Sequence, residues 1–414
     1  MILKRNPNDM TSKFHTYPEN KPSGIEWLGE IPSHWILSKY KYHSTSRMGQ
    51  TILKEEMVET GIPIYSATQD DGILGYVKNP DLILKRNDLV IPARGNSIGY
   101  VTKVDFDRAT CTQTTICSYN FSKINIDYLL FCCRAFKDIW FLFDHTAIPQ
   151  ITVNQVENNL LPLPPMEEQE AIAAYLDDLT GKVDALIAEK LNQVEDLRSY
   201  RTSLITETVT RGLNPDAPLR PSGIDWLGDI PGHWETLKLK YLVDLKSGSN
   251  ITSDDLIKNG FPVYGGNGLR GYYSEYNLEG NYILIGRQGA LCGNINYAHG
   301  RFWATEHAVV CHPLHDFEYK WLGELLRIMN LNQYSLASAQ PGLSVERIKN
   351  LQIPLPPLTE QRAIAEFLDE KTEKIDALIG ELEKQLEELA EYKKSVISEA
   401  VTGKVDVRDW KPQN

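Results

Sequence analysis

The sequence predicts an α+β protein made of two pseudo-symmetric globular domains joined by two long antiparallel helices that form a coiled coil. Three observations support this fold class. The chain repeats itself, two proline-free segments carry apolar residues at helical spacing, and the stretches between them are rich in Gly, Asn, Tyr and Thr. The 414 residues, 42% hydrophobic and 24% charged, are typical of a globular protein with more than one domain.

The internal repeat is the strongest observation. Residues 22–35 (PSGIEWLGEIPSHW) and 221–234 (PSGIDWLGDIPGHW) match at 11 of 14 positions, and residues 161–190 and 353–382 match at 18 of 30. Near-identical ends around divergent centres predict two copies of one scaffold that do different things at equivalent places. The alternative is an old duplication that drifted where loops tolerate change. The scaffold motif comprises Pro164, Pro165, Glu168 and Gln169, then Pro356, Pro357, Glu360 and Gln361.

Each copy ends in a predicted long helix. The first covers residues 166–211, with prolines before it and Arg211-Gly212 as its C-terminal signal, and the second covers residues 358–406. A helix of about 45 residues with one apolar seam needs a partner, and the simplest partner is the other copy, packed antiparallel. The predicted seam is Val183, Ile187, Val194, Leu197, Ile375, Ile379, Leu382, Leu386 and Leu389, interrupted by Lys190, Arg201 and Lys393.

The net charge of −12 is concentrated in these helices. Segment 166–211 has 10 acidic and 5 basic residues and segment 358–406 has 13 and 7, so together they carry −11 of the −12. The acidic faces are either solvated or receive helices from other chains. The rest of the chain is close to neutral, which permits nucleic-acid binding without supporting it.

The two divergent segments predict modules with a twisted sheet and polar loops. Short β-like runs such as Ile62–Ser66 and Tyr282–Ile285 alternate with Gly-rich turns, and one amphipathic helix is expected near 127–141 and near 318–330. In the major groove Arg suits guanine, and Asn or Gln suits adenine. The candidate DNA-binding residues are Ser66, Thr68, Gln69, Arg94, Asn96, Ser97 and Gln113 in the first module and Asn267, Arg270, Arg287, Gln288 and Asn294 in the second.

The best candidate for a DNA-facing loop follows a strand in both copies. It is Arg94-Gly95 in the first copy and Arg287-Gln288-Gly289 in the second. For each polar residue taken alone, the alternative is a solvated loop side chain.

Motifs for catalysis, metal binding and membrane insertion are missing from the sequence. There is no GxxxxGK[ST] loop, no Asn-Pro-Pro-Tyr/Phe motif and no His/Cys/Asp set with metal-ligand spacing, so we expect no catalytic residue and no metal site. The N-terminus lacks the apolar core of a signal peptide, no segment is apolar enough to span a bilayer, and the six cysteines show no CxxC pair. These features predict a cytoplasmic protein with reduced thiols.

The duplicated PSGIxWLGxIPxHW and PLPPxxEQxxIxxxLD motifs resemble those of the specificity (S) subunits of type I restriction-modification systems, over almost the whole chain. The resemblance implies that residues 1–165 and 212–357 are target-recognition domains, each of which reads one half of an asymmetric, interrupted site in double-stranded DNA. Residues 166–211 and 358–406 would be the spacer helices that set the distance between the half-sites, and residues 407–414 a C-terminal tail.

The resemblance also implies that the chain is not itself an enzyme. Two modification subunits, docked on the helices, would bind S-adenosylmethionine and methylate adenine at N6. Two restriction subunits would add ATP- and Mg-dependent translocation and cleavage. This chain would bind none of these cofactors. The alternatives are an S-like subunit of a type IIB or modification-only system, and a coiled-coil scaffold that binds no nucleic acid.

Overall fold

The computed structural model describes residues 16–68, 72–143, 149–289, 292–335 and 342–411. The chain divides into two compact units, one made of residues 1–191 and 384–414 and the other of residues 192–383. The boundaries between the units fall inside the two long helices. Each unit therefore contains one globular module together with half of each helix.

The first half of the chain contains twelve strands among the described residues and ends with a 46-residue helix. The strands are β1 Asn20–Pro22, β2 Glu30–Pro32, β3 Ile36–Lys39, β4 Thr45–Met48, β5 Met57–Val58, β6 Ile62–Tyr65, β7 Gly75–Val77, β8 Leu89–Pro92, β9 Thr102–Lys103, β10 Thr110–Cys111, β11 Thr115–Tyr119 and β12 Leu160–Leu163. The helices are α1 Ile126–Ala135, α2 Lys137–Trp140, α3 Val153–Asn158 and α4 Met166–Arg211.

The second half has a similar order of elements, with two short helices before its long helix in place of three among the described residues. Its strands are β13 Leu219–Pro221, β14 Asp229–Pro231, β15 Glu235–Lys238, β16 Val243–Ser247, β17 Phe261–Gly265, β18 Gly268–Tyr273, β19 Leu278–Glu279, β20 Tyr282–Gly286, β21 Ile295–Ala298, β22 Arg301–Ala304, β23 Ala308–Pro313 and β24 Gln352–Leu355. Its helices are α5 Tyr319–Ile328, α6 Val345–Lys349 and α7 Leu358–Val401.

Each module contains two four-stranded sheets, where the sequence pattern predicted one. One sheet is antiparallel, with the order β4-β11-β8-β9 in the first module and β16-β23-β20-β21 in the second. The other sheet has the order β10-β6-β7-β5 or β18-β17-β22-β19 and includes one parallel pair, β6 with β10 or β17 with β22. The antiparallel sheets therefore share one strand order, and the mixed sheets share three equivalent strands, β10-β6-β7 and β22-β17-β18. The fourth strand, β5 or β19, lies at opposite edges of the two mixed sheets.

The module core forms where the predicted amphipathic helix packs on the antiparallel sheet. Near residues 127–141 the predicted helix is split into α1 and α2, and Asn125 caps α1 by accepting a hydrogen bond from the Tyr128 amide at 2.9 Å. In the second module, α5 buries Trp321, Leu322 and Leu325 completely. The ends of the long helices belong to the same cores, with Ile172, Leu176, Val396 and Ala400 in the first unit and Ile205, Val209, Ile364 and Leu368 in the second.

Within each unit the two long helices run antiparallel. In the first unit Lys393 Nζ donates to Asp184 at 2.7 Å, and Lys190 Nζ donates to Gln385. Residues that come later on α4 therefore meet residues that come earlier on α7. Of the predicted seam, Val183, Val194 and Ile375 are buried, and Ile187, Leu197, Ile379, Leu382, Leu386 and Leu389 are partly buried.

The residues that interrupt the apolar seam form polar bridges between the helices. In the second unit Arg201 Nε donates to Asp376 at 2.9 Å. This pair repeats the bridge between Lys393 and Asp184 in the first unit, since both members lie 192 positions from their counterparts (393 − 201 and 376 − 184). One ion pair between the two helices is therefore repeated at the equivalent place in both units.

All six cysteines are buried and free of disulfide bonds. Burial raises the pKa of the Cys133 thiol to about 12, so this thiol stays protonated at neutral pH. None of the described helices is both long and apolar enough to cross a membrane.

Candidate nucleic-acid interface

The two repeated sequence motifs of each half meet at one glutamate. In the first unit the Glu168 carboxylate accepts hydrogen bonds from Trp35 Nε1 at 2.9 Å and from the Tyr17 hydroxyl, and it lies 2.7 Å from His34 Nε2. The glutamate side chain is only 5% exposed. Burial and the adjacent carboxylate raise the pKa of Tyr17 well above its usual range, so the phenol remains a donor.

The second unit repeats this contact with a more open environment. Glu360 accepts a hydrogen bond from Trp234 Nε1 at 2.9 Å and lies 2.6 Å from His233 Nε2. Its side chain is 39% exposed. The His-Trp pair at the end of the PSGI motif is therefore bound by the glutamate of the PLPP motif in both copies.

The glutamine that follows each glutamate links the start of a long helix to the module helix. The Gln169 side chain accepts from the Asn125 amide at 2.8 Å and donates to the Pro164 carbonyl at 2.9 Å. Gln361 makes the same two contacts, with the Glu318 amide and the Pro356 carbonyl, both at 2.9 Å. Asn125 and Glu318 are the N-caps of α1 and α5. The scaffold motif thus attaches each module to the helix that follows it.

The tryptophan of the His-Trp pair also contacts the glycine that ends a long helix. Gly212 after α4 and Gly403 after α7 have φ of +75° and +71°, the left-handed conformation typical of a helix C-terminus. A Cβ atom on Gly212 would lie 3.1 Å from the ring of Trp234, and one on Gly403 would lie 3.3 Å from the ring of Trp35. Each module is therefore fixed to the start of one long helix and the end of the other.

Three loops converge on one surface of the first module, and we call residues 66–68, 93–97 and 112–114 the first loop cluster. The hydroxyl of Ser97 donates to the Ala67 carbonyl at 2.8 Å, and the hydroxyls of Ser66 and Thr112 lie 3.1 Å apart. The Ala93 amide donates to the carbonyl of residue 114 at 2.9 Å. Parallel pairing of β6 with β10 brings two of the loops together, since each follows one of these strands.

The second module forms the same arrangement, and we call residues 265–268, 287–289 and 305–307 the second loop cluster. The Arg287 amide donates to the His307 carbonyl at 2.9 Å, and the Thr305 amide donates to the Tyr264 carbonyl at 2.9 Å. A Cβ atom on Gly266 would lie 3.1 Å from the same His307 carbonyl. The three loops of this cluster therefore also lie side by side.

Backbone hydrogen bonds define which residues of the two clusters are equivalent. The Ala93 carbonyl accepts a hydrogen bond from the Ile151 amide at 2.9 Å, and the Arg287 carbonyl accepts one from the Leu343 amide at 2.9 Å. One residue later, Arg94 forms a β-bridge with residue 150 and Gln288 with residue 342. The structure therefore pairs Arg94 with Gln288, and Arg287 with Ala93.

The structure brings most, but not all, of the candidate DNA-binding residues into the clusters. Arg94, Asn96 and Gln113 are exposed, Ser66 and Thr68 are partly buried, and Ser97 is buried in the first cluster; Asn267, Arg287 and Gln288 are exposed in the second. Outside the clusters, Arg270 on β18 donates to Ser253 at 3.0 Å, and the Asn294 carbonyl accepts from the Gly286 amide at 2.8 Å. Gln69 lies outside the described residues.

The two clusters differ in their charged groups. Arg94 is the one charged side chain among residues 66–68, 93–97 and 112–114. The second cluster contains Arg287 together with a His307–Glu306 pair whose Nε2 and Oε1 atoms lie 3.1 Å apart. Among the described residues, no group of three or more His, Cys, Asp or Glu side chains is placed to hold a metal ion. The chemistry that the clusters offer is hydrogen bonding from exposed amide, hydroxyl and guanidinium groups.

Comparison with known proteins agrees with the duplicated plan. A family model described as the type I restriction modification DNA specificity domain matches residues 42–196 and again residues 231–388. The chain belongs to this family. The resemblance inferred from the two repeated motifs is thereby confirmed.

Individual members of the specificity family match part or nearly all of the chain. The EcoprrI specificity subunit of Escherichia coli is 41% identical over 133 residues, which cover 31% of this chain and only 33% of that subunit. The MjaVIII specificity subunit of Methanocaldococcus jannaschii is 26% identical over 393 residues, which cover 86% of this chain and 89% of that subunit.

Solved structures show the same fold at low sequence identity. A chain from a structural study of assembly and conformational transition in the type I system has a TM-score of 0.70 and 18% identity, covering 90% of this chain and 98% of its own. The HsdS subunit of Thermoanaerobacter tengcongensis has a TM-score of 0.50 and 19% identity, with the same coverage.

One group of residues in this specificity protein was missed by the sequence interpretation, the His-Trp pair of each copy. The repeat displayed this pair without indicating that it contacts the scaffold glutamate. The third loops of the two clusters are themselves related by the repeat, because Thr112 and Thr305 lie 193 positions apart (305 − 112).

Proposed function

We propose that this chain is the DNA-recognition subunit of a type I restriction-modification complex, in which each module reads one half of an asymmetric, interrupted site in double-stranded DNA. The observation that carries the proposal is the pair of loop clusters. Their backbones share one hydrogen-bond plan, while the exposed side chains differ between the modules. Two equivalent surfaces with different donors and acceptors suit a target whose two halves differ in sequence.

We further propose that the long helices set the spacing between the half-sites and dock two modification subunits. Leu186 on α4 and Leu378 on α7 lie at equivalent positions, 192 residues apart (378 − 186), and are 46% and 51% exposed. A large apolar side chain exposed at the same place in both copies favours docking of the same partner twice. The acidic helix surfaces around these leucines would then meet basic partner surfaces.

The chain's own role in this proposal is recognition, without catalysis. S-adenosylmethionine, ATP and Mg²⁺ are assigned to the partner subunits, with the modification subunits methylating adenine at N6 and two restriction subunits translocating and cutting DNA. The support for this division of labour is that the chain's relatives are specificity subunits. The near-neutral modules predict that tight DNA binding also depends on positive charge from the partners.

The test is to map N6-methylated adenines in the DNA of cells that express this chain with the modification subunit of its own system. We expect one interrupted motif, with different sequences in its two halves, that disappears when this chain is omitted. Methylation that is unchanged by omission, with the modification subunit present and folded, would refute the proposal. In that case, retention of the purified chain on DNA at low salt would distinguish a modification-independent DNA binder from a scaffold without nucleic acid.

A further inference from the structure

We infer that Arg94 and Gln288 are counterpart base-reading residues, so that one half-site has a guanine at the step where the other has an adenine. This inference rests on the proposed function and goes beyond it by assigning a residue and a base to each half-site. The two residues hold the same place in the backbone hydrogen-bond pattern, since they form the β-bridges with residues 150 and 342. They are followed by Gly95 and Gly289, with φ of +79° and +88°.

Both side chains are available to a ligand. Arg94 and Gln288 are exposed, and neither side chain has a hydrogen bond or ion pair with any residue that the structure describes. Their neighbour Arg287 differs, since its Nη1 donates to the hydroxyl of Ser247 at 3.2 Å. Arg287 therefore takes part in a contact within the protein, which the exposed Gln288 does not.

The backbone under these side chains is held firmly enough to position them. The residues before them, Ala93 and Arg287, each donate one backbone hydrogen bond through the amide and accept one through the carbonyl. All four of these hydrogen bonds are 2.9 Å long. The left-handed glycine after each of them has none of the described residues within 4 Å of a Cβ position, so the loop has room on that side for a close approach of DNA. A base-reading side chain needs this kind of rigid support.

The chemistry of the two side chains then assigns the bases. A guanidinium donates two parallel hydrogen bonds to the O6 and N7 atoms of guanine. A glutamine amide donates to N7 of adenine and accepts from its N6 amino group. Because the two residues occupy one structural position, exchange of their side chains should exchange the preferred base and leave the rest of each half-site unchanged.

The experiment is methylated-adenine mapping with the full chain and its modification subunit, comparing wild type with Arg94→Gln and Gln288→Arg. We expect Arg94→Gln to lower the preference for guanine at one position of one half-site by roughly 5- to 150-fold, with the other half-site unchanged. Gln288→Arg should change one adenine position in the opposite half-site. The half that changes also shows which half-site each module reads.

Two matched controls lie at the far ends of the strands that enter the clusters. Arg108 precedes β10 and Arg301 begins β22, and they are equivalent, 193 positions apart (301 − 108). Arg108→Gln and Arg301→Gln remove the same charge outside the loop clusters, and we expect them to leave the recognised sequence unchanged. A change of motif with these variants as large as with the cluster variants would overturn the inference.

A folded variant with an unaltered motif would refute the assignment of Arg94 or Gln288, while the dependence of wild-type methylation on this chain would keep the proposed function intact. If Arg94→Gln fails to fold, as judged by its thermal unfolding, Arg94→Lys replaces it, because lysine keeps the charge and loses the planar fork. We expect Arg94→Lys to relax the guanine preference, and full retention of that preference would likewise refute the assignment.

Discussion

The contact between Glu168 and the His-Trp pair allows a quantitative prediction about stability, because Glu360 makes the equivalent contact in the second unit and can be compared with it. Glu168 has three donors around a carboxylate that is 5% exposed, whereas Glu360 has two donors and is 39% exposed. A hydrogen bond to a charged group contributes about 1.5–3 kcal/mol when buried, and an exposed one contributes much less. Replacement of the glutamate by glutamine keeps the size of the side chain and removes its charge. It also replaces one accepting carboxylate oxygen with an NH2 group, which then faces the donors that this oxygen bound.

We therefore expect Glu168→Gln to lower the free energy of unfolding of the first unit by about 2–4 kcal/mol, and Glu360→Gln to lower that of the second unit by about 1 kcal/mol. A chain with two compact units need not unfold in a single two-state transition. The assay is therefore scanning calorimetry combined with hydrogen exchange measured on peptides that contain Trp35 and Trp234. Each variant should increase exchange around the tryptophan of its own unit.

The control is Glu167→Gln, because Glu167 is exposed on the same first turn of α4. It removes the same charge from the helix N-terminus, which is worth about 0.3–1 kcal/mol. If Glu168→Gln were no more destabilising than Glu167→Gln, or if the variants of Glu168 and Glu360 had equal effects, the reasoning from burial and donor count would be wrong.

Three further predictions concern other parts of the chain. Hydrogen bonds from Lys246 and Lys349 lower the pKa of Asp244 to about 2, below the unfolded value, so their contribution is present above about pH 4 and is lost as the pH falls toward 2. Asp244→Asn should accordingly reduce stability by less than about 1 kcal/mol at pH 7 in urea unfolding, and a difference that persists near pH 2 would contradict this. A Cβ atom on Gly248 would lie 2.1 Å from a carbonyl oxygen of β22, so Gly248→Ala should destabilise the second unit by more than Gly342→Ala, as thermal unfolding would reveal, because Gly342 is outside the left-handed region and a Cβ there meets none of the described residues within 4 Å. Removal of one heptad from each long helix shortens it by about 10 Å, and methylation mapping should then show a spacer about three base pairs shorter; an unchanged spacer would refute the proposal that the helices set the spacing between the half-sites.

The helical part of the fold was predictable because its signals are local and periodic. Prolines before residue 166, a seam with one apolar residue every three to four positions, and a glycine after Arg211 define α4 from sequence alone. Even the interruptions were informative, since Lys190, Arg201 and Lys393 stood out against the seam. Their partners could not be identified, because the register of two helices depends on packing along their whole length.

The sheets were harder to predict because several of their strands are too short to show a pattern. Strands β5, β9 and β10 have two residues each, too few for alternation to be visible. They are strands only because neighbours supply the hydrogen bonds, as Ile64 and Tyr65 do for β10 through a parallel pairing with residues 46 positions later in the chain. A single sheet was therefore expected in each module where the structure has two.

The loop clusters show why the repeat could be found at its ends and not at its divergent centre. Equivalent residues are 199 positions apart at Gly49 and Gly248, 194 apart at Arg94 and Gln288, and 192 apart at Glu168 and Glu360. The offset changes inside the modules because loops gain and lose residues, so no single alignment of letters pairs the centres. What remains constant between the two modules is the pattern of hydrogen bonds between main-chain amides and carbonyls. Because that pattern uses only main-chain atoms, the exposed side chains can change without cost to the fold, which is what a protein needs if one scaffold is to recognise two different sequences.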